Sequence, residues 1–347
     1  MEKIKVGIIG YGWAATAHIE AINAGGLAEV AAVSSSRPLD AAGLSSKHGG
    51  TIKTYREFAD LLADPGIGAV SITSYPWQHR EHAVAAARAG KHIILEKPLA
   101  LSLDDAMAIE AAVKESGVTF CLCFEARFSS QFTVTKKVIE QGLLGDVHYG
   151  EIDYYHGIGP WYGQFRWNVK RDGGGSSLLS AGCHALDALL FCMGNDVVEV
   201  TSLSTRSQGP AFAPYEYDTT SVTLLKFRSG MLGKCTSSID CLQPYYFHTH
   251  LIGSEGSLLD DKLHSDKLAL DKGRWSALSM KLMDSGDVSD HPYQSEFDAF
   301  FQAIREGKPM PLAGLDESLR THEVIFAADH SAAAGGKPVN LEEFRAR

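Results

Sequence analysis

The order of apolar and polar positions divides the chain into two patterns. Up to about residue 124, short apolar runs alternate with amphipathic stretches, the signature of parallel β-α-β units. Runs at 5–10, 29–34, 69–73, 92–96 and 118–124 predict strands, and stretches at 14–23, 55–62, 79–89 and 103–116 predict helices. The last of these opens on Ser102 with Asp105 at capping-box spacing and closes at Gly117.

Beyond Phe124 the pattern changes. A helix over 131–141, a strand over 147–155 and a helix over 177–192 are followed by strand-like runs at 199–204, 219–227, 231–238, 248–253 and 257–260. Arg228-Ser229-Gly230 and Ser254-Glu255-Gly256 read as tight connections between antiparallel neighbours. The polar stretch 204–218 reads as a surface loop, helices over 294–306 and 315–334 close the chain, and no internal repeat is present. The expected fold class is α/β, with a parallel domain over 1–123 and an α+β domain on a large, mainly antiparallel open sheet over 124–347.

A length of 347 residues agrees with two domains, and 45% hydrophobic with 21% charged residues argues against both disorder and a membrane protein. No apolar run reaches the roughly 18–20 residues of a membrane span, and the start lacks the apolar core of a signal peptide, so a cytoplasmic chain is expected. With 32 basic against 42 acidic residues the formal charge is −10, the wrong sign for a nucleic-acid partner. Six cysteines are too sparse for a disulfide scaffold. Cys121 and Cys123 lie two apart on a predicted strand and are expected as half-buried thiols rather than a metal or redox pair. No metal-ligand spacing stands out.

The strongest local motif is Gly10-Tyr11-Gly12-Trp13-Ala14-Ala15, directly after the first strand and opening a helix, the context a dinucleotide fingerprint requires. Gly10 makes the tight turn, Gly12 lets the backbone approach a pyrophosphate, and Ala15 permits close helix–strand packing, with helix-start amides to hold the anion. The second strand ends in Ser34-Ser35-Ser36-Arg37. NAD sites usually carry Asp or Glu near such a position, whereas small hydroxyls and an arginine favour the 2′-phosphate of NADP. NADP is therefore the expected cofactor, with NAD the alternative and a solvated Arg37 the plain structural reading.

The predicted strand over 92–96 runs into Glu96-Lys97-Pro98. With the fingerprint and the following helix, this segment resembles the Gfo/Idh/MocA oxidoreductases, the glucose-fructose oxidoreductase and inositol dehydrogenase family. Gly173-Gly174-Gly175-Ser176-Ser177-Leu178-Leu179 leading to His184 is similar to that family's catalytic helix, and 217–222, 253–257 and 297–309 are similar to its sheet and terminal-helix segments. The resemblance implies that Lys97 lies near nicotinamide and the substrate hydroxyl, that Glu96 holds a ribose, and that the peptide before Pro98 is cis. A lysine desolvated beside an oxidised nicotinamide has a depressed pKa and joins acid–base work; a surface lysine at a strand end is the bland alternative. Thr73, Ser74, Tyr75 and His79 match a strand and loop along the cofactor, although His79 and His82 equally suit a helix surface.

Ser180 and His184 are four residues apart and share a helix face. The family pattern has an aspartate where this chain has Ser180. The base candidate His184 is kept, but a carboxylate that would orient it is not; Asp187 either replaces it or is a solvated helix charge. The loop carrying Tyr155, His156, Trp161 and Trp167 is rich in aromatic rings, which serve either as platforms for a sugar ring or as packing. Arg127 is a further cleft candidate. The expected activity is hydride transfer between nicotinamide and a secondary alcohol or ketone carbon of a sugar, cyclitol or glycoside, with Lys97 and His184 catalytic. The alternatives are a tight-cofactor enzyme that oxidises sugar transiently and a non-catalytic NADP-binding regulator. Similar proteins pack their open sheets face to face, which implies a homodimer or homotetramer.

Overall fold

The computed structural model describes residues 2–268, 271–284, 286–287 and 291–346. It consists of two units, Met1–Glu125 with Val288–Leu319, and Ala126–Asp287 with Arg320–Arg347. The sequence pattern assigned everything after 123 to one domain. The segment 288–319 instead belongs with the first unit, a correction that local periodicity had no means to show.

In the first unit the chain runs β1 (Ile4–Ile9), α1 (Trp13–Ala24), β2 (Ala28–Ser34), α2 (Ala41–His48), β3 (Lys53–Tyr55), α3 (Phe58–Ala63), β4 (Ala69–Ile72), α4 (His79–Arg88), β5 (His92–Leu95), α5 (Leu103–Ser116) and β6 (Phe120–Leu122). All pairs are parallel, in the order β3-β2-β1-β4-β5-β6. This doubly wound order reverses direction between β1 and β4, where such sheets open a crevice at their carboxyl ends. Helices cover both faces, so β4 is buried at every residue and reads as a continuous apolar run. The same double cover buries Cys121 and Cys123 completely, where half-burial was expected. Helix α5 begins as predicted, with the Ser102 side chain accepting from Asp105 N. β3 and α2 were not predicted. β3 is a three-residue edge strand, too short for any period, and it takes the first residue of the helix expected from 55; α3 begins at Phe58.

The second unit follows with α6 (Ser130–Glu140), β7 (Val147–Tyr155), α7 (Gly159–Gly163), a π turn at Leu178–Gly182 and α8 (Cys183–Met193). Its remaining strands are β8 (Val197–Thr205), β9 (Thr220–Phe227), β10 (Leu232–Ser238), β11 (Tyr246–Gly253), β12 (Gly256–Leu259), β13 (Lys262–Ser265) and β14 (Ser276–Ala277). Next come α9 (Tyr293–Glu306), which returns to the first unit, then α10 (Leu315–Ala333), β15 (Val339–Asn340) and α11 (Leu341–Arg345). α9 returns because Phe297, Phe300 and Phe301 are apolar side chains that need burial, and Phe297 packs on His18 of α1 with centroids 4.9 Å apart.

The nine strands of the second unit are ordered β14-β13-β12-β11-β7-β10-β9-β8-β15. Among the described residues only β7 and β10 pair in parallel. Strict alternation of buried and accessible residues along β9 shows a sheet covered on one face. That cover is α8: a Cβ at Gly150 of β7 would collide with Met193. The stretch 204–218 is less superficial than its polarity suggested. Tyr215 and Tyr217 are buried, and their hydroxyls donate to Gly159 O at 2.6 Å and Asn168 O at 2.7 Å.

Candidate functional site

In the first unit the glycine turn is shaped by what lies against it. Gly10 has φ +93°, a conformation that favours glycine, and a Cβ there would meet Ser74 N at 2.9 Å and Thr73 C at 3.0 Å. Thr73 Oγ1 donates to Gly10 O at 2.9 Å, so the ends of β1 and β4 are stitched together. Gly12 faces open space, with nothing within 4 Å of a built Cβ. It caps α1 without a side-chain hydrogen bond, which leaves the first helical amides for an anion. Ala15 is buried against the sheet and Ala14 is half-buried.

Ser35 Oγ accepts from Arg37 N at 3.2 Å, and the exposed Arg37 reaches back to donate from Nη2 to Tyr11 O at 2.8 Å. Ser36 is exposed beside them. A flexible cation therefore lies over the glycine turn at the end of β2. Trp13 and Tyr75 are half-exposed, and Tyr75 stacks on Trp77 with centroids 4.5 Å apart at 5°. An open glycine cradle, uncapped helix amides and this cation form a donor set that fits a dinucleotide.

His79 and His82 stand inside the unit rather than on a helix surface. His79 is buried, with Nδ1 2.7 Å from Pro98 O and Nε2 3.2 Å from Ser74 O, tying together the loops after β4 and β5. His82 Nδ1 lies 2.8 Å from Ser74 Oγ. Burial, with help from nearby His79, pushes the His82 pKa down to about 4, so it is neutral around pH 7.

The Lys97–Pro98 peptide is cis. Glu96 is turned inward. Its Oε1 lies 2.9 Å from His18 Nε2 and accepts from Tyr293 OH at 3.0 Å, and its Oε2 accepts from Lys97 N at 3.0 Å. His18 is anchored in turn through Nδ1, 2.7 Å from Ser71 Oγ. Burial opposes ionisation of Glu96, but the His18 contact, the charge of Lys97 and the Tyr293 hydroxyl outweigh it and hold the carboxyl at about 2. Glu96 is thus a buried carboxylate fixing the backbone that bears Lys97. His18 and Tyr293 were missed in the sequence. A histidine among the buried alanines and isoleucines of α1 is a usable signal for the first; nothing local connects Tyr293 to a residue 197 positions away.

In the second unit, His184 and Ser180 are buried at 6% and 7% exposure. The helix predicted over 177–192 is a π turn followed by α8, a local widening that often marks functional sites. Gly182 lets the turn lie directly on β10, where a Cβ would collide with Ser237, and Ser237 Oγ donates to Ser177 O at 3.0 Å. Asp187 is not a solvated charge. It is fully buried and accepts from Arg127 Nε at 2.6 Å, Arg127 Nη2 at 2.7 Å and Thr321 Oγ1 at 2.9 Å. Arg127, expected at a substrate, is instead buried with its fork closed on that carboxylate. An arginine in an apolar shell needs such a partner.

Tyr155 is also displaced from expectation. Strand alternation points Tyr154 toward α8 and Tyr155 to the other face of the sheet, where it donates to Asp153 Oδ2 at 3.2 Å. His156 Nδ1 lies 2.8 Å from Tyr154 OH. Trp161 is 39% exposed and packs edge-on to Phe165, while Trp167 is half-buried.

Fold and glycine turn together define a dinucleotide-binding α/β protein with an added mixed-sheet unit. The pattern described as "oxidoreductase family, NAD-binding Rossmann fold" matches residues 4–124, and the GFO/IDH/MocA C-terminal domain matches 132–259. The chain belongs to the GFO/IDH/MocA oxidoreductase family. It is 26% identical to myo-inositol 2-dehydrogenase of Thermotoga maritima over 98% of this chain and 99% of that protein. It is 27% identical to scyllo-inositol 2-dehydrogenase (NAD(+)) of Bacillus subtilis over 83% of this chain and 81% of that protein. The structure of levoglucosan dehydrogenase in complex with NADH and levoglucosan shares its fold, with a TM-score of 0.83 at 22% identity, covering 98% of this chain and 99% of that one.

Proposed function

We propose that the protein is an NADP-preferring dehydrogenase or reductase acting on a secondary alcohol or ketone carbon of a sugar, cyclitol or glycoside. The carrying observation is the Glu96-centred network that fixes the Lys97 backbone at the carboxyl end of β5, in a unit whose glycine turn fits a dinucleotide. Bound nicotinamide would supply the hydride acceptor or donor. Lys97 polarises the reacting oxygen, and His184 takes the hydroxyl proton during oxidation and returns it during reduction. Glu96 serves by position rather than by contact with ribose, and Arg127 by holding α8 through Asp187.

Arg37, draped over the glycine turn beside Ser35 and Ser36, supports the 2′-phosphate reading. Relatives named for inositol substrates support a polyhydroxylated ring as substrate. On the outer face of the nine-stranded sheet, Leu203, Val222, Leu224 and Leu232 are each between 42% and 60% exposed, which supports a homodimer or homotetramer. The deciding experiment screens polyols, aldoses and glycosides for absorbance change with each cofactor. Turnover of a cyclitol or sugar that is faster with NADP is expected. A clear preference for NAD rejects the cofactor assignment, and silence throughout despite cofactor binding rejects the enzyme reading.

A further inference from the structure

The outer face of the second unit's sheet carries a cluster that the proposed chemistry does not use. Strands β7 and β11 are antiparallel neighbours, with His250 directly opposite Glu151 and His248 opposite Asp153. A His-x-His pair on a strand points both imidazoles to one face, and the register brings a carboxylate between them. Glu151 Oε1 lies 3.0 Å from His248 Nε2 and 3.8 Å from His250 Nδ1, and the three ligand atoms are all within 4.8 Å of one another.

We propose that Glu151, His248 and His250 form a divalent-metal site of the zinc class, clamping β7 to β11. Zinc bonds of about 2.0–2.1 Å place tetrahedral ligand atoms about 3.4 Å apart, so rotamer adjustment of side chains on a fixed backbone closes the set. Two imidazoles and one carboxylate suit zinc and its neighbours rather than magnesium or calcium, which take oxygen donors.

The surroundings are those of a ligand set. His248 turns its other nitrogen, Nδ1, toward Asp260 Oδ1 at 3.4 Å, the carboxylate support that orients metal-bound histidines. Asp260 is itself held by Tyr246 OH and by Thr249 N at 2.9 Å. The second oxygen of Glu151 is occupied by Tyr149 OH at 2.7 Å and Lys234 Nζ at 3.1 Å, which leaves Oε1 aimed at the imidazoles. Glu151, Asp153 and Asp260 against Lys234 leave two negative charges among these groups, which a divalent cation balances. The three ligands are partly accessible, at 16%, 23% and 29% of their side-chain surfaces, so a cation can enter and water can complete the shell. The other grouping of this kind among the described residues, His18 with Glu96 and Cys123, is sealed in the first unit and belongs to the network behind Lys97.

The test titrates tag-free, chelator-stripped full-length protein with zinc against a chromophoric chelator. Bound metal is counted by mass spectrometry after gel filtration, and cobalt substitution is read in the visible spectrum. One equivalent of zinc per chain is expected, with a raised thermal midpoint. Glu151→Gln and His250→Ala should each weaken binding at least tenfold, and Asp260→Asn by roughly tenfold, with far-ultraviolet dichroism unchanged. His250→Gln repeats the test with a side chain closer in size should the alanine variant misfold. Absence of zinc binding by the wild-type chain at micromolar metal overturns the proposal, as does stoichiometric binding that survives both ligand substitutions.

Discussion

The two units support their candidate catalytic residues in different ways. In the first, Lys97 sits on a loop just after a parallel strand, and the group that fixes it, Glu96, is its immediate neighbour. In the second, His184 lies on a helix buried along nearly its whole length, entered through a π turn and anchored by a buried ion pair to Arg127. One support acts on a backbone at a sheet edge; the other orients a whole apolar helix. Removing a support should therefore be local in the first unit and global in the second.

The largest effect expected is on chemistry alone. Lys97→Ala should lower turnover by roughly 10²–10⁴-fold while cofactor affinity, read by fluorescence titration, stays within about threefold. Near-normal activity rejects the mechanism.

Arg127→Leu should test the helix anchor. It leaves the buried Asp187 without its cationic partner, and the expected loss is about 3–5 kcal/mol of stability in chemical denaturation. The double variant Arg127→Leu, Asp187→Leu should recover much of that loss, because replacing both members of a buried pair leaves no orphaned charge. A single variant as stable as the parent would show that α8 does not depend on the pair.

Glu96→Gln should change how stability depends on pH. The Glu96 carboxyl is held down from 4.5 to about 2, so the folded state binds its proton later than the unfolded chain as pH falls. Its contribution is therefore complete above pH 4.5 and is lost as the pH drops toward 2, a total of ~3 kcal/mol. The variant should lack that slope in denaturation curves across this window. An unchanged slope would remove Glu96 as the buried hold on Lys97.

The smallest change in stability belongs to Gly12→Ala. Its φ of −126° suits any residue and a Cβ meets nothing, so the melting temperature should move by only about 1 °C. Cofactor affinity should still fall roughly tenfold, since the added methyl occupies the backbone's approach to the pyrophosphate. Unimpaired binding would show that Gly12 does not face the cofactor.

Legibility followed sequence distance. The glycine turn, the capped helix after Ser102 and the hairpins at Gly230 and Gly256 are local devices, and each stands where the sequence placed it. Arg37 follows from the end of the second strand and Thr73 and Ser74 from the family resemblance; in the structure Arg37 reaches Tyr11 O and Thr73 reaches Gly10 O, both on the glycine turn. Tyr155, expected on an aromatic loop, instead closes β7, where the strand's period of two sends neighbours to opposite faces. Arg127 and Asp187 were read separately, one as a ligand contact and one in terms of His184. Nothing in the chain pairs residues 60 positions apart.

The sequence by itself determined the dinucleotide-binding turn, the switch from parallel to mainly antiparallel architecture, and the family, because short-range sterics and hydrophobic period act on contiguous residues. Only the tertiary structure decided which charges are buried in pairs, that 288–319 returns to the first unit, that Glu96 faces His18 and Tyr293, and that Glu151 meets His248 and His250 across two strands. Those outcomes depend on burial and on strand register. Both are set by the packing of distant segments, and a desolvated charge takes whichever partner that packing delivers.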